Sequence, residues 1–571
     1  MLKYDIVVIG GGGAGLMAAI EASKDKNIKI AVVSKVFPTR SHTSAAQGGM
    51  NASIGVADPN DSPEKHAFDT IKGADFLADQ QAVLFMCKNA PDVIYELDRM
   101  GVPFSRTSDG KIAQRPFGGA SFPRTVYSAD RTGHVLLHTL FEQAMSKENI
   151  DFFNEYFLLD LDIQDDTLQG IEILNIKDST VLYVKTKVAI LAGGGFARIY
   201  WHRSTNASGN TGDLQAVALR KGLALKDMEF IQFHPTGLAK TGILLSEASR
   251  GEGGYLLNVK GERFMEKYSP NKMELAPRDI VSRSIELEIK SGLGVGEGTS
   301  AYVYLDLRHL GEEKINERLP QVRQLAIDFE GVDPVKAPIP IRPTAHYCMG
   351  GIDVVDFKSS QTSVKGLLAI GECACVSVHG ANRLGGNSLT ELVVFGKYAG
   401  EYAREYAKNS DFSNSDFSNK NPIINSEAYI NSLMQREGNV KLYEVRNKMG
   451  EITWFSMGIF RTESSLKEAY EELTKLLDMW YYIPVSDKSR IFNTNLIELL
   501  ELRNMLELSR AVALCALNRR ESRGGHWRED YKERDDEKFL KHSLVQYKNG
   551  ELNLSYKEVD TSIYKPEERK Y

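Results

Sequence analysis

Apolar residues follow two rhythms along this chain. Near the N-terminus, "YDIVVIG" is a short unbroken apolar run that predicts a buried strand, "LMAAIEASK" has helical spacing, and "IKIAVVSK" is a second strand-like run. With "GGGAG" between the first two, residues 4 to 35 predict strand, glycine-rich turn, helix and strand, the first unit of a dinucleotide-binding sheet. "KVAILAGGG" (187 to 195) and "KGLLAIGE" (365 to 372) predict later strands of the same layer. The nucleotide domain is then discontinuous, with a large insertion between roughly 235 and 345. Residues 408 to 420 hold a tandem "SDFSN" with almost no bulky aliphatics and predict a linker. Beyond it, "LIELLELRNMLELSRAVALCAL" carries apolar residues at helical spacing with Glu and Arg between, which predicts long packed helices. The expected fold class is α/β. A discontinuous Rossmann-like dinucleotide-binding domain occupies 1–234 and 346–407, with an inserted α+β capping domain in 235–345. A linker (408–424), a helical domain (425–541) and a strand-like tail (542–571) follow.

Composition narrows the functional classes. The 571 residues allow about two to four domains, and Lys+Arg 70 against Asp+Glu 76 gives a net charge of −6 without a basic footprint for nucleic acid. Five cysteines, Cys87, Cys348, Cys373, Cys375 and Cys515, form no paired or metal-ligand spacing and suit a reducing compartment as small hydrophobes. The uncharged run "IVVIGGGGAGLMAAI" is too short to span a bilayer, and its four glycines rule out a signal-peptide core. The expectation is a cytoplasmic chain that reaches a membrane only through a partner.

The chemistry-bearing motifs sit beside glycine turns. Gly10-x-Gly12-x-x-Gly15 directly after "DIVVI" is the phosphate turn, where glycines allow close backbone approach and a helix N-terminus faces the pyrophosphate. The acidic ribose ligand expected about 20 residues on is missing, since Ser34 and Lys35 stand there, which disfavours NAD. FAD fits better once Glu372 in "LLAIGE" is placed near the cofactor's ribityl or ribose hydroxyls. A second set suits a small dianion: His234, Ser246, Glu247, Arg250, Arg278, His346 and Arg383 all flank glycine-rich or turn motifs, and an Arg fork holds a carboxylate bidentately.

Together, "GGGGAG", "SKVFPTRSHT", "NTGD", "QFHPTG", "RGEGGYLLN", "RPTAHY", "HGANRLGGNSL" and "ESRGGHWREDYKERDDE" make the chain resemble the flavoprotein subunits of succinate dehydrogenase and fumarate reductase, from residue 3 to about 541. The resemblance implies FAD bonded covalently to His42. It places FAD contacts at Gly10, Gly11, Gly12, Gly13, Ala14, Gly15, Ser34, Lys35, Thr43, Gly48, Gly49, Asp213, Glu372, Ser388 and Leu389. It puts His234 and Ser246 at one end of a dicarboxylate clamp and His346 and Arg383 at the other. Arg278 becomes the proton-transferring residue, with Glu247 and Arg250 as its relay; side-chain chemistry alone nominates Glu247, because a guanidinium normally stays protonated. Ser246 departs from the family's usual Thr but keeps the hydroxyl. Implied partners are an iron-sulfur subunit and a membrane anchor carrying the quinone site, which would hold this chain on the inner face of the cytoplasmic membrane. The competing readings are L-aspartate oxidase, which binds FAD non-covalently and lacks the loop histidine, and a non-catalytic flavin scaffold.

Overall fold

The computed structural model describes residues 2–297, 300–410 and 424–569. Its central sheet has seven strands. The first, Leu2–Ile9, pairs in parallel with Ile30–Ser34 on one side and with Val181–Leu191 on the other. Ile150–Asn154 extends the sheet beyond Ile30–Ser34, and Leu367–Ala369 pairs in parallel with the end of Val181–Leu191. The runs "KVAILAGGG" and "KGLLAIGE" therefore do join this layer, separated in sequence by everything between them. Strands covered on both faces read as continuous apolar runs, and Ile30–Ser34 is buried throughout.

Two close approaches pin the first unit. Gly10 has φ of 120°, and a Cβ there would overlap the carbonyl oxygen of Ala192 at the end of the neighbouring strand. A Cβ on Gly15 would overlap the carbonyl of Gly10, so helix Gly13–Ala22 can lie directly on the strand it follows. The same helix packs against Asn387–Asn409, where Gly396 and Gly400 let the backbones meet.

The inserted region builds an antiparallel sheet of Ile231–Leu238, Ile339–Cys348, Val303–Asp306 and Tyr255–Leu257. Its own core includes Leu238, Val281, Ile285, Leu305 and Ile341. The points 234/235 and 345/346 fall inside two paired strands, since His234 lies opposite Thr344. The two regions thus share a continuous ribbon, and the histidines sit where it leaves one and enters the other.

Helices Ser426–Gln435, Leu442–Met457, Glu463–Trp480 and Thr494–Asn518 follow. The strand-like tail is a hairpin, Lys541–Lys548 with Glu551–Glu558, whose first strand pairs with Leu225–Lys226. Helix Asn387–Asn409 runs into the start of the expected linker; residues 411–423 lie outside the described residues. All five cysteines are buried and free, as their spacing suggests. Among the described residues no helix is long and apolar enough to cross a membrane.

Candidate active site

One cavity of about 440 Å³ reaches from the glycine turn to the inserted sheet. It is lined by every cofactor position expected from the sequence except Gly15, where a Cβ would overlap the Gly10 carbonyl. The Ser34 hydroxyl accepts the Gly11 N–H at 3.3 Å, and the Thr43 hydroxyl accepts the Gly13 N–H at 3.1 Å. Gly48 faces the Phe117 ring, and Gly49 needs its φ of 129°. Across the cavity, Ser388 and Leu389 occupy the first turn of helix Asn387–Asn409, whose partly positive N-terminal end favours an electron-rich ligand.

Lys35 lines the cavity beside the glycine turn. Its ammonium donates to Asp213 and to Glu501, each at 2.6 Å, and those two carboxylates hold its pKa above the usual range against the opposing effect of burial. Glu372 accepts the Cys348 N–H at 2.9 Å, and burial pushes its pKa up to about 8, which favours the neutral, hydrogen-bond-donating form of the carboxyl. A glycine turn, a helix N-terminus and a neutral carboxyl donor around one cavity fit a dinucleotide with hydroxyl-bearing segments.

His42 opens a short 3-10 turn, His42–Ala45, capped by the Ser41 hydroxyl. Its Nδ1 accepts the Ala207 N–H at 3.4 Å, and burial, then the Arg198 cation, lowers its pKa to about 4. The ring is a neutral imidazole whose proton sits on Nε2.

The second half of the cavity gathers His234, Ser246, Glu247, Arg278, His346 and Arg383. A β-bulge makes this possible: Gln232 pairs with Tyr347 and Phe233 with Ala345, so His346 is the extra residue and turns toward His234. Their ring centroids stand 4.9 Å apart. The Thr236 N–H donates to His234 Nδ1 at 3.2 Å, which leaves an Nε2–H as donor; His346 Nδ1 meets the Thr205 hydroxyl at 2.8 Å. Burial first, then the Arg278 cation, holds both imidazoles well below the usual range, so both are neutral. Burial and Arg278 also lower Arg383 to about 10, which still leaves it cationic, and its guanidinium stacks 4.2 Å over the Tyr347 ring. Its Nε is buried without a hydrogen-bond partner among the described residues. Ser246, 1% exposed, accepts the Ala248 N–H at 3.1 Å.

Arg278 opens helix Arg278–Lys290 and donates from Nε to Glu247 at 2.6 Å. Burial alone would raise Glu247, but Arg278 and Arg250 outweigh it and hold the carboxyl below its usual range. Arg250 does not line the cavity; it lies behind Glu247, with Nη2 at 3.5 Å from the carboxylate and Nη1 on the Glu274 carbonyl. The arrangement is a cationic pocket with neutral histidine donors on its rim and a guanidinium–carboxylate–guanidinium line leading away from it.

Sequence reasoning missed Gln232, Tyr347 and Glu501. Gln232 stands two residues before His234 on the same strand, and period-two alternation puts both on one face, which was the available signal.

The sequence profile of the FAD binding domain family matches residues 5–389, and that of the fumarate reductase flavoprotein C-terminal region matches residues 446–571. The 8-methylmenaquinol:fumarate reductase flavoprotein subunit of Wolinella succinogenes is 46% identical, covering 99% of this chain and 92% of the relative. The succinate dehydrogenase flavoprotein subunit of Rickettsia conorii is 45% identical over 98% of this chain and 95% of its own length. A solved quinol fumarate reductase chain from E. coli superposes with a TM-score of 0.94 at 40% identity, covering 100% of this chain and 99% of that one.

Proposed function

Since the chain belongs to the family of FAD-dependent flavoprotein subunits of succinate dehydrogenase and fumarate reductase, we propose that its cleft interconverts succinate and fumarate with the residues described above. FAD, when bound, supplies the two-electron exchange that takes up or returns a hydride. His234 and Ser246 hold one carboxylate; His346 and Arg383 hold the other. Arg383 is suited to this because its buried Nε has no other hydrogen bond to make.

The observation that carries the reading is the position of Arg278. It faces the same cavity as the clamp while its Nε already donates to an ionised Glu247 at 2.6 Å. A proton taken from or given to the substrate carbon by the guanidinium therefore has a carboxylate in hydrogen-bond contact on the other side. Arg250, 2% exposed, stabilises that carboxylate and continues the line away from the cavity. Fixing substrate at both ends while a proton carrier approaches from one face is what a reaction across two adjacent carbons requires.

His42 is the covalent tether. Its neutral imidazole is in the nucleophilic state, and acid-precipitated holoprotein should retain its flavin; flavin released quantitatively into the supernatant would refute the tether. Electrons leave to an iron-sulfur subunit docked to a membrane anchor with the quinone site, which keeps this chain peripheral on the cytoplasmic face. The named relatives disfavour an L-aspartate oxidase, and an intact clamp disfavours a scaffold without chemistry. The test is a paired assay of succinate oxidation and fumarate reduction on the purified complex, with L-aspartate as control. Turnover of both dicarboxylates and none of L-aspartate is expected; the reverse would overturn the function.

A further inference from the structure

We propose that Gln232 is a positioning residue: its side-chain oxygen is the shared acceptor that fixes the spacing of Arg278 and Arg383 and holds the proton on Arg278. The inference rests on the reading that Arg278 carries the proton and Arg383 clamps a carboxylate. Gln232 is 1% exposed on strand Ile231–Leu238. Its Oε1 accepts from Arg278 Nη1 at 2.9 Å and from Arg383 Nη2 at 3.2 Å.

The amide has only one workable orientation. Its Nε2 donates to the Arg383 carbonyl at 2.7 Å and to Asn382 Oδ1 at 3.0 Å, and a backbone carbonyl can only accept. Asn382 is oriented in turn, because its Nδ2 donates to the Gly73 carbonyl at 3.1 Å. A flip of Gln232 would aim its amide hydrogens at two guanidiniums and its oxygen at a carbonyl. The oxygen is therefore locked between two like charges that repel one another.

The charged and titratable groups around Arg278 come from four segments. Glu247 and Arg250 lie in the turn before Gly251, His234 and His346 on the paired strands, and Arg383 on the loop ahead of helix Asn387–Asn409. Glu247 is the one anion among them, and it binds Nε, not the Nη1 side. On that side the neutral dipole of Gln232 is what stabilises the cation. It accepts from both guanidiniums without placing a second negative charge beside that of Glu247.

Two variants separate this role from a structural one. Gln232→Glu keeps the shape and puts a full negative charge between the arginines, so the pH limb that governs succinate turnover should move to higher pH by about a unit. Gln232→Met keeps the volume and removes the acceptor, so the same limb should move to lower pH. Both should lower kcat at least about tenfold, and both should raise the fumarate KM. A residue that only packs would shift both limbs alike or neither.

The measurement is the kcat and KM of the wild type and both variants across pH, with fumarate binding followed separately by the flavin absorbance change. Opposite displacements of the limb with full flavin content support the proposal. Unmoved limbs, limbs that move together, or loss of flavin from both variants contradict it, because a residue acting only through the arginines leaves the cofactor cradle intact. A wild type that turns over neither dicarboxylate overturns the parent function itself, whereas an active wild type with unresponsive variants overturns the role of Gln232 alone.

Discussion

Glu247 is 2% exposed, between two guanidiniums and against the Gly118 N–H, which donates to its other oxygen at 3.0 Å. A buried carboxylate in that setting stays ionised because its partners stabilise the charge that burial disfavours. Its service to Arg278 depends on the planar fork: Nε reaches Glu247 while Nη1 reaches Gln232. A lysine at 278 is a point charge that cannot span both. Arg278→Lys should lose roughly 10²- to 10⁴-fold in kcat while fumarate still perturbs the flavin absorbance. Substantial residual turnover would move the proton role elsewhere. The candidate residues were legible as candidates at this scale because histidines and arginines stand there beside distinctive glycine-rich motifs. Gln232 was not, since a strand glutamine is spelled the same whether it faces solvent or two arginines.

The glycine turn and the bulged strand pair show what elements add. Apolar runs and glycines between them were enough to predict the strand, turn, helix and strand of the first unit, because parallel strands covered on both faces leave that signature. Gly10 fixes the turn: its φ of 120° is unfavourable for any other residue, and the Ala192 carbonyl occupies the place of a Cβ. Gly10→Ala should yield protein that binds little flavin and is destabilised by about 1–3 kcal/mol, read from the flavin-to-protein absorbance ratio and thermal unfolding. An alanine variant with full flavin content would contradict this account of the turn. The bulge at His346 was not legible, because register depends on what two distant strands place opposite one another. Lys35 shows the same limit: one of its carboxylate partners, Glu501, lies 466 positions away on helix Thr494–Asn518.

At the scale of the whole molecule, the tail hairpin packs against segments 315 and 463 positions earlier in the sequence. His542, on the tail's first strand, is buried between Asp227 at 2.6 Å and Asp79 at 3.2 Å. Burial alone would lower its pKa, but the two carboxylates outweigh burial and raise it to about 9. A raised folded pKa means that this stabilisation is complete below the unfolded value of about 6.5 and is lost as pH climbs through about 9. It amounts to about 3 kcal/mol. The melting temperature of the purified flavoprotein should therefore fall across that window, and His542→Gln should be less stable at neutral pH with a flatter profile. Parallel curves for the two proteins would contradict the assignment. Farther along, Arg569 donates to Asp279 at 2.7 Å, directly beside Arg278, so the tail also braces the helix that opens with Arg278. Composition could suggest a strand-like tail but not what it covers. All of this geometry serves one central claim, that reduced flavin in this cleft delivers its electrons to a clamped dicarboxylate, and a single-turnover measurement tests it most directly. Chemically reduced holoprotein is mixed with fumarate without oxygen, and flavin absorbance is followed. The account predicts rapid recovery of the oxidised spectrum with one succinate formed per flavin, slowed roughly 10²- to 10⁴-fold in Arg278→Lys; a flavin that stays reduced in fumarate would contradict it.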